Sequence, residues 1–546
     1  MTIRTTTRTP NRTETRTETE ATTMTTSPLY QPLPLSLPTP PDGVGSWAAR
    51  RAVMTPRAVA LRQQSGTGWH DVTYADLHAL VERTASGLLA RGVHPGDRVA
   101  WWGANSIEMV VALLAIARVG AISVPLNTRL AEAETAAVLE RCEPALLLHV
   151  GPAPVAPSRG AQALEAIEAL EVDEGRGGAG LAVLWDDALP PAPVHRSHPD
   201  DLLMIQFTSG TSGQPKGVCL THGNVLWNCV NLLLDVDVIS REIALVTAPL
   251  FHTAALDQVL LPVLLKGGTA IIEPRFDPAR VLALIESERV TMLFGVTSMY
   301  QALAAEPAWD SADLSSLRSA LSGGSPLPEV LLRTWADRGL PVLQGYGLTE
   351  ASPGVTMLRA ADAVERLGSA GTPCLLTDVR VVDAAGRDLE GEPGEVWVRG
   401  PHVSPGYWRD PAATSAAFVD GWLRTGDVAV REPDGHLRIT GRLKDMFISG
   451  GENVYPAEVE AACLTHPDVL ACAVIGVPDP QWGEVGCAVL VLRPEAHLDL
   501  TGLRAHLEGR LARYKMPRLL EVVDALPLTA SGKLAKEQVR RLVAAR

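Results

Sequence analysis

The strongest constraint on the fold is an alternation of helical and strand-like segments between residues 73 and 125. Thr73 to Arg91 carries apolar residues at helical spacing on one stripe. The apolar segment DRVAWWG (97–103) is typical of a buried strand. It is followed by a helical segment, Ser106 to Arg118, and by a second strand-like segment, AISVPLN (121–127). This β–α–β alternation predicts parallel sheets that are covered by helices.

The sequence pattern changes three times along the rest of the chain. Residues 151–200 are punctuated by Gly and Pro, which predicts loops around one helix at 161–171. From about residue 368, short strands alternate with turns, and this predicts a small antiparallel β subdomain. After Arg442, helix and strand patterns mix again. We therefore divide the chain into a disordered Thr/Arg/Pro-rich tail (1–40), a large domain (41–441) and a small C-terminal domain (442–546).

Composition excludes several classes of protein. The formal net charge of −14 disfavours nucleic-acid binding, which normally needs a basic surface. The longest apolar run, Met109 to Pro125, is interrupted by Arg118 and Gly120, so no membrane span is expected. The tail has Thr at 13 of its first 27 positions and no apolar core of a secretory signal. The seven scattered cysteines lack metal-ligand spacing and indicate buried thiols in a reducing compartment, so we expect a cytoplasmic protein.

Lysine is rare in this chain. Of 48 basic residues, only six are lysines, at positions 216, 266, 444, 515, 533 and 536. Where Lys is rare, each one is a better candidate for a task that needs a compact ammonium, which Arg does not offer. Lys266 and Lys536 lie in no chemical motif and are expected to be solvated.

The segment Thr208 to Gly217, TSGTSGQPKG, has the composition of an anion-binding loop. It follows an apolar strand-like segment, and its ten positions contain three glycines, four hydroxyl residues and Lys216. Backbone N–H groups and hydroxyls can donate to phosphate oxygens, and glycine allows the backbone to approach closely. The spacing differs from that of a Walker A loop.

This loop and six later motifs resemble, in order, those of the adenylate-forming superfamily, which contains acyl-CoA synthetases, peptide-synthetase adenylation domains and luciferases. The later motifs are APLFHTAAL (248–256), LSGGSPLP (321–328), QGYGLTE (344–350), GWLRTGDVA (421–429), GRLKDMFISGGENVYPAEVE (441–460) and LPLTASGKL (526–534). The resemblance covers roughly residues 45–546. It implies an α/β fold with a large N-terminal domain, built from two α/β sheet subdomains and a small β-barrel-like subdomain, and a small mobile α+β C-terminal domain.

The resemblance also implies roles at an ATP site. Tyr346 would stack on adenine, Thr349 would bond the α-phosphate, and Glu350 would be the Mg²⁺ ligand, as suits a hard carboxylate oxygen. Asp427 would hold the ribose, and Lys533 would stabilise charge during acyl transfer. The other residues assigned to ATP or AMP binding are Thr208, Ser209, Gly210, Thr211, Ser212, Gly213, Lys216, Gly323, Gly324, Ser325, Gln344, Gly345, Gly347 and Arg442.

His252 falls at the family position beside the substrate acid, where an aromatic side chain guards the carboxylate. It is counted with the catalytic residues but not as a general base. The pocket walls are expected from residues 252–255, 297–299, 323–325 and 347–353. The assigned pocket residues are His252, Thr253, Thr297, Ser298, Gly323 and Gly347. Small and apolar walls suit a hydrophobic acid, aliphatic or aromatic. Thr297 replaces a common Pro, which can reshape the pocket.

Coenzyme A is the thiol acceptor that the resemblance implies. Lys444 occupies the hinge position about which the small domain would rotate. Trp482 would stack on the CoA adenine, and glycines would line the pantetheine tunnel. The residues assigned to CoA are Gly450, Gly451, Trp482, Tyr514, Lys515 and Arg518. Met516 stands where some relatives carry a cation, which weakens the resemblance at this site.

We therefore expect an AMP-forming acid–CoA ligase that uses ATP, Mg²⁺ and CoA and binds no nucleic acid; a homodimer is the assembly considered. Two alternatives stay open. One is an adenylating enzyme whose acceptor is a carrier protein, an amine or another small nucleophile. The other is a non-catalytic nucleotide-binding protein. A peptide synthetase is disfavoured, because no Asp directly follows His252 to hold a substrate amino group.

Overall fold

The computed structural model describes residues 43–66, 68–154, 168–172, 178–208, 215–449, 451–529 and 534–544. The tail that was predicted at 1–40 lies outside them. The strands are β1 (Val59–Ser65), β2 (Gly68–Thr73), β3 (Arg98–Trp102), β4 (Ile122–Pro125), β5 (Leu146–His149), β6 (Glu168–Glu171), β7 (Leu202–Thr208), β8 (Lys216–Thr221), β9 (Ile243–Val246), β10 (Thr269–Ile272), β11 (Met292–Gly295), β12 (Ser319–Ser322), β13 (Val342–Gly347), β14 (Gly354–Met357), β15 (Thr372–Pro373), β16 (Asp378–Val382), β17 (Pro393–Arg399), β18 (Gly406–Tyr407), β19 (Phe418–Val419), β20 (Trp422–Arg431), β21 (Leu437–Arg442), β22 (Phe447–Ser449), β23 (Glu452–Val454), β24 (Val469–Asp479), β25 (Gly483–Leu492) and β26 (Leu519–Val522). The α-helices are α1 (Trp47–Met54), α2 (Tyr74–Ala90), α3 (Ile107–Arg118), α4 (Glu132–Cys142), α5 (His222–Asp235), α6 (Thr253–Ala255), α7 (Leu261–Lys266), α8 (Pro278–Ser287), α9 (Thr297–Ala304), α10 (Glu329–Asp337), α11 (Pro411–Ala417), α12 (Pro456–Cys463), α13 (Leu500–Leu507) and α14 (Lys536–Ala544).

Two sheets with parallel cores form most of the large N-terminal domain. One runs β15-β14-β13-β12-β11-β9-β10-β1-β2, and the other runs β18-β8-β7-β4-β3-β5-β6. Helix α3 is buried along its whole length because it is apolar on every face. Helix α2 begins at a capping box between Thr73 and Asp76. The predicted alternation of α2, β3, α3 and β4 is confirmed.

One predicted element is wrong. Residues 168–171, placed in a helix at 161–171 by their composition, form strand β6. Strand β6 pairs in parallel with β5, from Leu146 opposite Glu168 to His149 opposite Glu171. The edge of β5 offers unpaired backbone groups, and satisfying them outweighs the weak helical preference of this short segment. Residues 161–167 lie outside the described residues.

Two further sheets follow along the chain. The first is antiparallel, with the order β16-β17-β20-β19 and with β21 on β20, as the short strands and turns after residue 368 predicted. The second has the order β23-β22-β25-β24, with β26 parallel to β25. Apolar residues of β24, β25, α12 and α13 share one core in this sheet. It forms the smaller C-terminal domain.

The structure can be compared with the predictions made for the cysteines, for membrane spans and for two lysines. All seven cysteines are buried and free, which confirms their structural reading. Among the described residues, no helix combines the length and apolarity needed to cross a bilayer. Lys536 is not solvated as expected, because its ammonium lies 2.9 Å from Glu460 and only 16% of its side chain is exposed. Lys266 is exposed, as expected.

Candidate active site

The ends of the predicted phosphate loop are held by the β7–β8 hairpin. Thr208 pairs with Lys216 across the hairpin, so the two residues bracket the loop. The Lys216 ammonium lies 5.0 Å from the centre of the Tyr407 ring. The loop residues Ser209, Gly210, Thr211, Ser212 and Gly213 lie outside the described part of the chain.

The turn between β13 and β14 carries Thr349 and Glu350 in one turn of 3₁₀ helix. The Tyr407 hydroxyl donates to Oε1 of Glu350 at 2.8 Å. The backbone N–H of Ser404 donates to the Glu350 carbonyl at 2.8 Å. The turn is therefore fixed from outside by the segment that contains β18.

A second group of polar side chains surrounds Asp427, which is 4% exposed. The Tyr346 hydroxyl donates to its Oδ2 at 2.7 Å, and Arg442 Nε lies 2.9 Å from its Oδ1. Burial and the Asp427 carboxylate raise the pKa of Tyr346. The Asp427 carboxylate, and to a smaller extent Glu350, raises the pKa of Arg442. The phenol is therefore neutral and the guanidinium is charged at neutral pH.

Backbone approaches explain two of the predicted site glycines. A Cβ on Gly347 would lie 1.8 Å from the Pro353 carbonyl oxygen, so any other residue would displace the β13–β14 turn. A Cβ on Gly323 would lie 3.2 Å from the carbonyl oxygen of Gly345 on the neighbouring strand. Gln344 holds the loop after β12, because its amide oxygen accepts from the N–H of Leu327 at 3.0 Å.

Four of the predicted acid-pocket residues, His252, Thr253, Thr297 and Ser298, lie at the starts of helices. His252 precedes α6, which continues through a π-helical segment, Leu256–Leu260, into α7. π-Helical turns are frequent at functional sites. The His252 ring meets that of Phe251 edge-on, with centroids 4.7 Å apart. Thr297 begins α9, and its hydroxyl lies 2.9 Å from that of Ser325, so two of the predicted walls touch.

The other predicted pocket and nucleotide residues occupy nearby positions of varied exposure. Thr253 is buried, Ser298 is exposed at the start of α9, and Gly324 is exposed with a φ of +84°.

A buried amide network lies behind the turn that carries Glu350. There Asn228 accepts from the N–H of Gly354 at 3.1 Å and donates to the Asp257 carbonyl at 2.7 Å.

The predicted CoA residues of the C-terminal domain pair with one another or with acids. The Arg518 guanidinium lies 4.5 Å over the Trp482 ring, and the Lys515 ammonium lies 2.6 and 2.8 Å from the two carboxylate oxygens of Glu458. Tyr514 and Lys444, the predicted hinge residue, are exposed. Gly450 and Lys533 lie outside the described residues.

Gly451 lies in open space with a positive φ. A Cβ at Gly451 would meet no atom within 4 Å, so space around it does not require glycine in this structure. Its φ is +89°, in the region that side chains rarely adopt. The backbone turn after β22 therefore requires glycine here, whereas crowding does not.

Comparison with known proteins identifies the family. The profile of the AMP-binding enzyme family matches residues 48–408, and that of the AMP-binding enzyme C-terminal domain matches residues 458–533. The chain belongs to the AMP-binding enzyme family. Feruloyl-CoA synthase from an Amycolatopsis species is 50% identical over 500 residues, which span 91% of this chain and 99% of the relative.

Two further relatives of this AMP-binding enzyme extend the comparison. Indoleacetate–CoA ligase of Aromatoleum aromaticum is 40% identical over 507 residues, 92% of this chain and 98% of the relative. The solved structure of o-succinylbenzoate coenzyme A synthetase from Bacillus subtilis, in complex with ATP and a magnesium ion, has a TM-score of 0.80 at 33% identity. The match covers 91% of this chain and 99% of that chain. The fold of large and small domains is thus shared with CoA ligases.

Sequence reasoning missed one residue at the centre of this AMP-binding enzyme's candidate site. Tyr407 contacts both Glu350 and Lys216, yet it was not among the predicted residues. Its partner Glu350 is 57 residues away along the chain, so no local spacing links the two. The glycine before Tyr407, which pairs with Cys219 of β8, is the only local signal of a close strand approach.

Proposed function

We propose that this AMP-binding enzyme is an ATP-dependent ligase that joins an aromatic carboxylic acid to coenzyme A through an acyl-adenylate. The observation that carries the proposal is 50% identity with feruloyl-CoA synthase over 500 residues, across both domains. The relative at 40% identity, indoleacetate–CoA ligase, also takes its name from an aromatic acid. The chain is accordingly an acid–thiol ligase that forms AMP.

In the first half-reaction the substrate carboxylate attacks the α-phosphorus of ATP, and pyrophosphate leaves. Asp427 accepts hydrogen bonds from the ribose hydroxyls, and Arg442 Nε, 2.9 Å from its Oδ1, holds the carboxylate in place. Thr349, at the start of the turn, donates to the α-phosphate. Lys216 and the loop after Thr208 neutralise the departing phosphates. Lys533 contributes a further positive charge at the transferring group.

The carboxylate of Glu350 fits a magnesium site of the kind that nucleotide enzymes use. Mg²⁺ in such sites is held by one or two carboxylates together with substrate phosphates rather than by a cage of protein ligands. In keeping with this, no group of three His, Cys, Asp or Glu side chains that could hold a metal occurs among the described residues. When bound, Mg²⁺ supplies charge neutralisation of the phosphates.

In the second half-reaction the CoA thiolate attacks the acyl carbonyl and AMP leaves. A boundary between the large domain (41–441) and the small domain (442–546) puts Lys444 at the hinge. Its exposure allows the ammonium to stay solvated in either domain orientation. Trp482 and Arg518 form a stacked pair that can accept the CoA adenine. Lys515 and Tyr514 would bind CoA beside it, and Gly450 and Gly451 would line the path of its pantetheine arm.

The acid pocket suits a planar aromatic acid. The residues assigned to its walls, Thr253, Thr297, Ser298, Gly323 and Gly347, are all small, and small walls would leave room for a planar ring. The His252 imidazole guards the carboxylate end.

The experiment measures pyrophosphate release with a panel of hydroxycinnamic, arylacetic, benzoic and fatty acids, with and without CoA. We expect acid-dependent pyrophosphate without CoA and CoA-dependent AMP and thioester with hydroxycinnamic acids. A preference for fatty acids would refute the substrate class. Pyrophosphate without thioester, but with an amide when amines are added, would favour the alternative of a non-CoA acceptor. No acid-dependent pyrophosphate at all would favour a non-catalytic protein.

A further inference from the structure

A five-residue segment, 404–408, joins the two halves of the phosphate site. Ser404 N–H donates to the Glu350 carbonyl at 2.8 Å, and the Tyr407 hydroxyl donates to Glu350 Oε1 at 2.8 Å. Trp408 N–H donates to the Gly217 carbonyl at 2.7 Å, directly after Lys216. Glu350 is therefore held through both its backbone and its side chain by a strand that is itself paired to the strand of Lys216.

Tyr407 is fixed so that it can serve both neighbours. It lies opposite Val218 in the β18–β8 pair, and its backbone N–H donates to the hydroxyl of Thr414 at 3.0 Å. Its hydroxyl donates to Glu350, and the centre of its ring lies 5.0 Å from the ammonium of Lys216. A cation over an aromatic face is attracted by the ring quadrupole.

One carboxylate oxygen of Glu350 is thus occupied by a donor from the protein. A Glu side chain has rotational freedom that must be lost before it can ligate a cation, and a hydrogen bond that fixes it in advance removes that cost. Such outer-shell partners of metal ligands are known to change metal affinity by an order of magnitude or more.

We propose that Tyr407 is a positioning residue: its hydroxyl holds Oε1 of Glu350 so that Oε2 is presented to the cation of the magnesium–nucleotide, and its ring seats Lys216 toward the phosphates. The inference rests on the proposed function, because Glu350 is taken as the magnesium ligand. It adds that two functions of the site, cation binding and phosphate neutralisation, depend on one side chain.

Two variants separate these functions. Tyr407→Phe removes the hydroxyl and keeps the ring under Lys216. Tyr407→Leu removes both. The matched control is Tyr74→Phe, since the Tyr74 hydroxyl is also buried and donates to the Gly268 carbonyl at 2.7 Å, far along the chain from the candidate site. Circular dichroism melting of each full-length variant reports folding separately.

The readout is binding of α,β-methylene-ATP by titration calorimetry, with Mg²⁺ and with EDTA. For Tyr407→Phe we expect the gain in nucleotide affinity on adding Mg²⁺ to shrink about tenfold, because the lost hydrogen bond has a charged acceptor, with EDTA affinity unchanged. For Tyr407→Leu we expect affinity in EDTA to fall as well. Tyr74→Phe should keep the wild-type magnesium gain even if its melting temperature drops.

The proposal is overturned if Tyr407→Phe keeps the wild-type magnesium gain, or if it weakens binding equally with Mg²⁺ and EDTA, as a merely structural residue would. The proposed function fails separately. In that case the wild-type protein would bind the magnesium–nucleotide analogue and lose the gain in Tyr407→Phe, yet release no pyrophosphate from ATP with any acid.

Discussion

The Asp427 carboxylate lies between two partners, the Tyr346 hydroxyl at 2.7 Å and the Arg442 guanidinium at 2.9 Å. Each partner takes a different oxygen, and the pair is almost fully buried on the Asp427 side. Without bound nucleotide, the residue assigned to the ribose is therefore already fixed in orientation, and binding need not order it.

Replacing Asp427 by Asn should raise the KM for ATP at least about tenfold, because hydrogen bonds to a charged acceptor are stronger than those to a neutral amide. Tyr346→Phe keeps the ring and the carboxylate and should raise this KM only a few-fold. The measurement is pyrophosphate release at varied ATP. An equal rise in the KM for the acid would show that Asp427 does not act on the nucleotide alone.

Glu350→Gln should lower the rate of pyrophosphate formation about a hundredfold, since a preorganised electrostatic group at a phosphoryl site is worth several kcal/mol. Raising the Mg²⁺ concentration should not restore the rate, because a neutral amide is a poor ligand for this cation. Glu329→Gln, an exposed change on α10 that breaks only the pair with Arg333, is the control and should behave like the wild type. Recovery of Glu350→Gln at high Mg²⁺ would contradict the assignment.

The two half-reactions should respond differently to loss of Lys533. Lys533→Ala should abolish pyrophosphate formation but largely spare thioester formation from synthetic acyl-adenylate, because the proposed role lies at the transferring phosphoryl group. The exposed Lys266 offers the matched control, and Lys266→Ala should leave both rates unchanged. Equal losses in both half-reactions of Lys533→Ala would refute the role.

The ion pair of Lys515 with Glu458 can be tested as a CoA contact. Lys515→Ala should raise the KM for CoA severalfold and leave acid-dependent pyrophosphate release intact, because only the second substrate would lose a cation. Glu458→Gln keeps Lys515 charged and should not raise the KM for CoA. If both variants only lower the melting temperature, the pair stabilises the small domain and does not contact CoA.

Stability should fall in mild acid because of a buried histidine. An imidazole in the unfolded chain titrates near 6.5, whereas burial lowers the pKa of His402 to about 4. Between these values the unfolded chain binds a proton that the folded chain does not, so stability falls as pH decreases, by up to about 1.4 kcal/mol per pH unit. Above pH 6.5 the imidazole is mostly neutral in both states, so His402 no longer makes stability depend on pH.

Between pH 7 and pH 5, the melting temperature of His402→Leu should therefore fall less than that of the wild type. Part of the loss should remain, because burial also lowers the pKa of His222 to about 4. A variant with an unchanged pH dependence would show that His402 is protonated in the folded protein at pH 5.

Local patterns predicted much of the fold, and distant contacts explain what they missed. The helices and strands from α2 to β4 follow from periodicity, because each buries one face or all of its residues. Strand β6 could not be predicted, because its pairing with β5 is a property of the sheet edge and not of residues 168–171. Lys536 appeared solvated for the same reason, since Glu460 reaches it from another helix.

In the candidate site too, local motifs predicted some residues, whereas contacts between distant parts of the chain determine others. Glu350, Asp427 and Arg442 were predicted from motifs, and the last two indeed face each other across β20 and β21. Tyr407 was missed because its role depends on two residues far from it in sequence. Gly451 has a further reason to be glycine that the sequence does not show, since its positive φ is visible only in the structure.

The two-residue strand β18 also limits how this part of the chain can change length. Successive side chains of a strand point to opposite faces, so a slip of one residue against β8 would replace Tyr407 at Glu350 by Gly406 or Trp408. An insertion or deletion between Ser404 and Tyr407 would therefore separate the cation ligand from its support while leaving every motif residue in place. The site therefore depends on the length of this loop as well as on the identity of the motif residues.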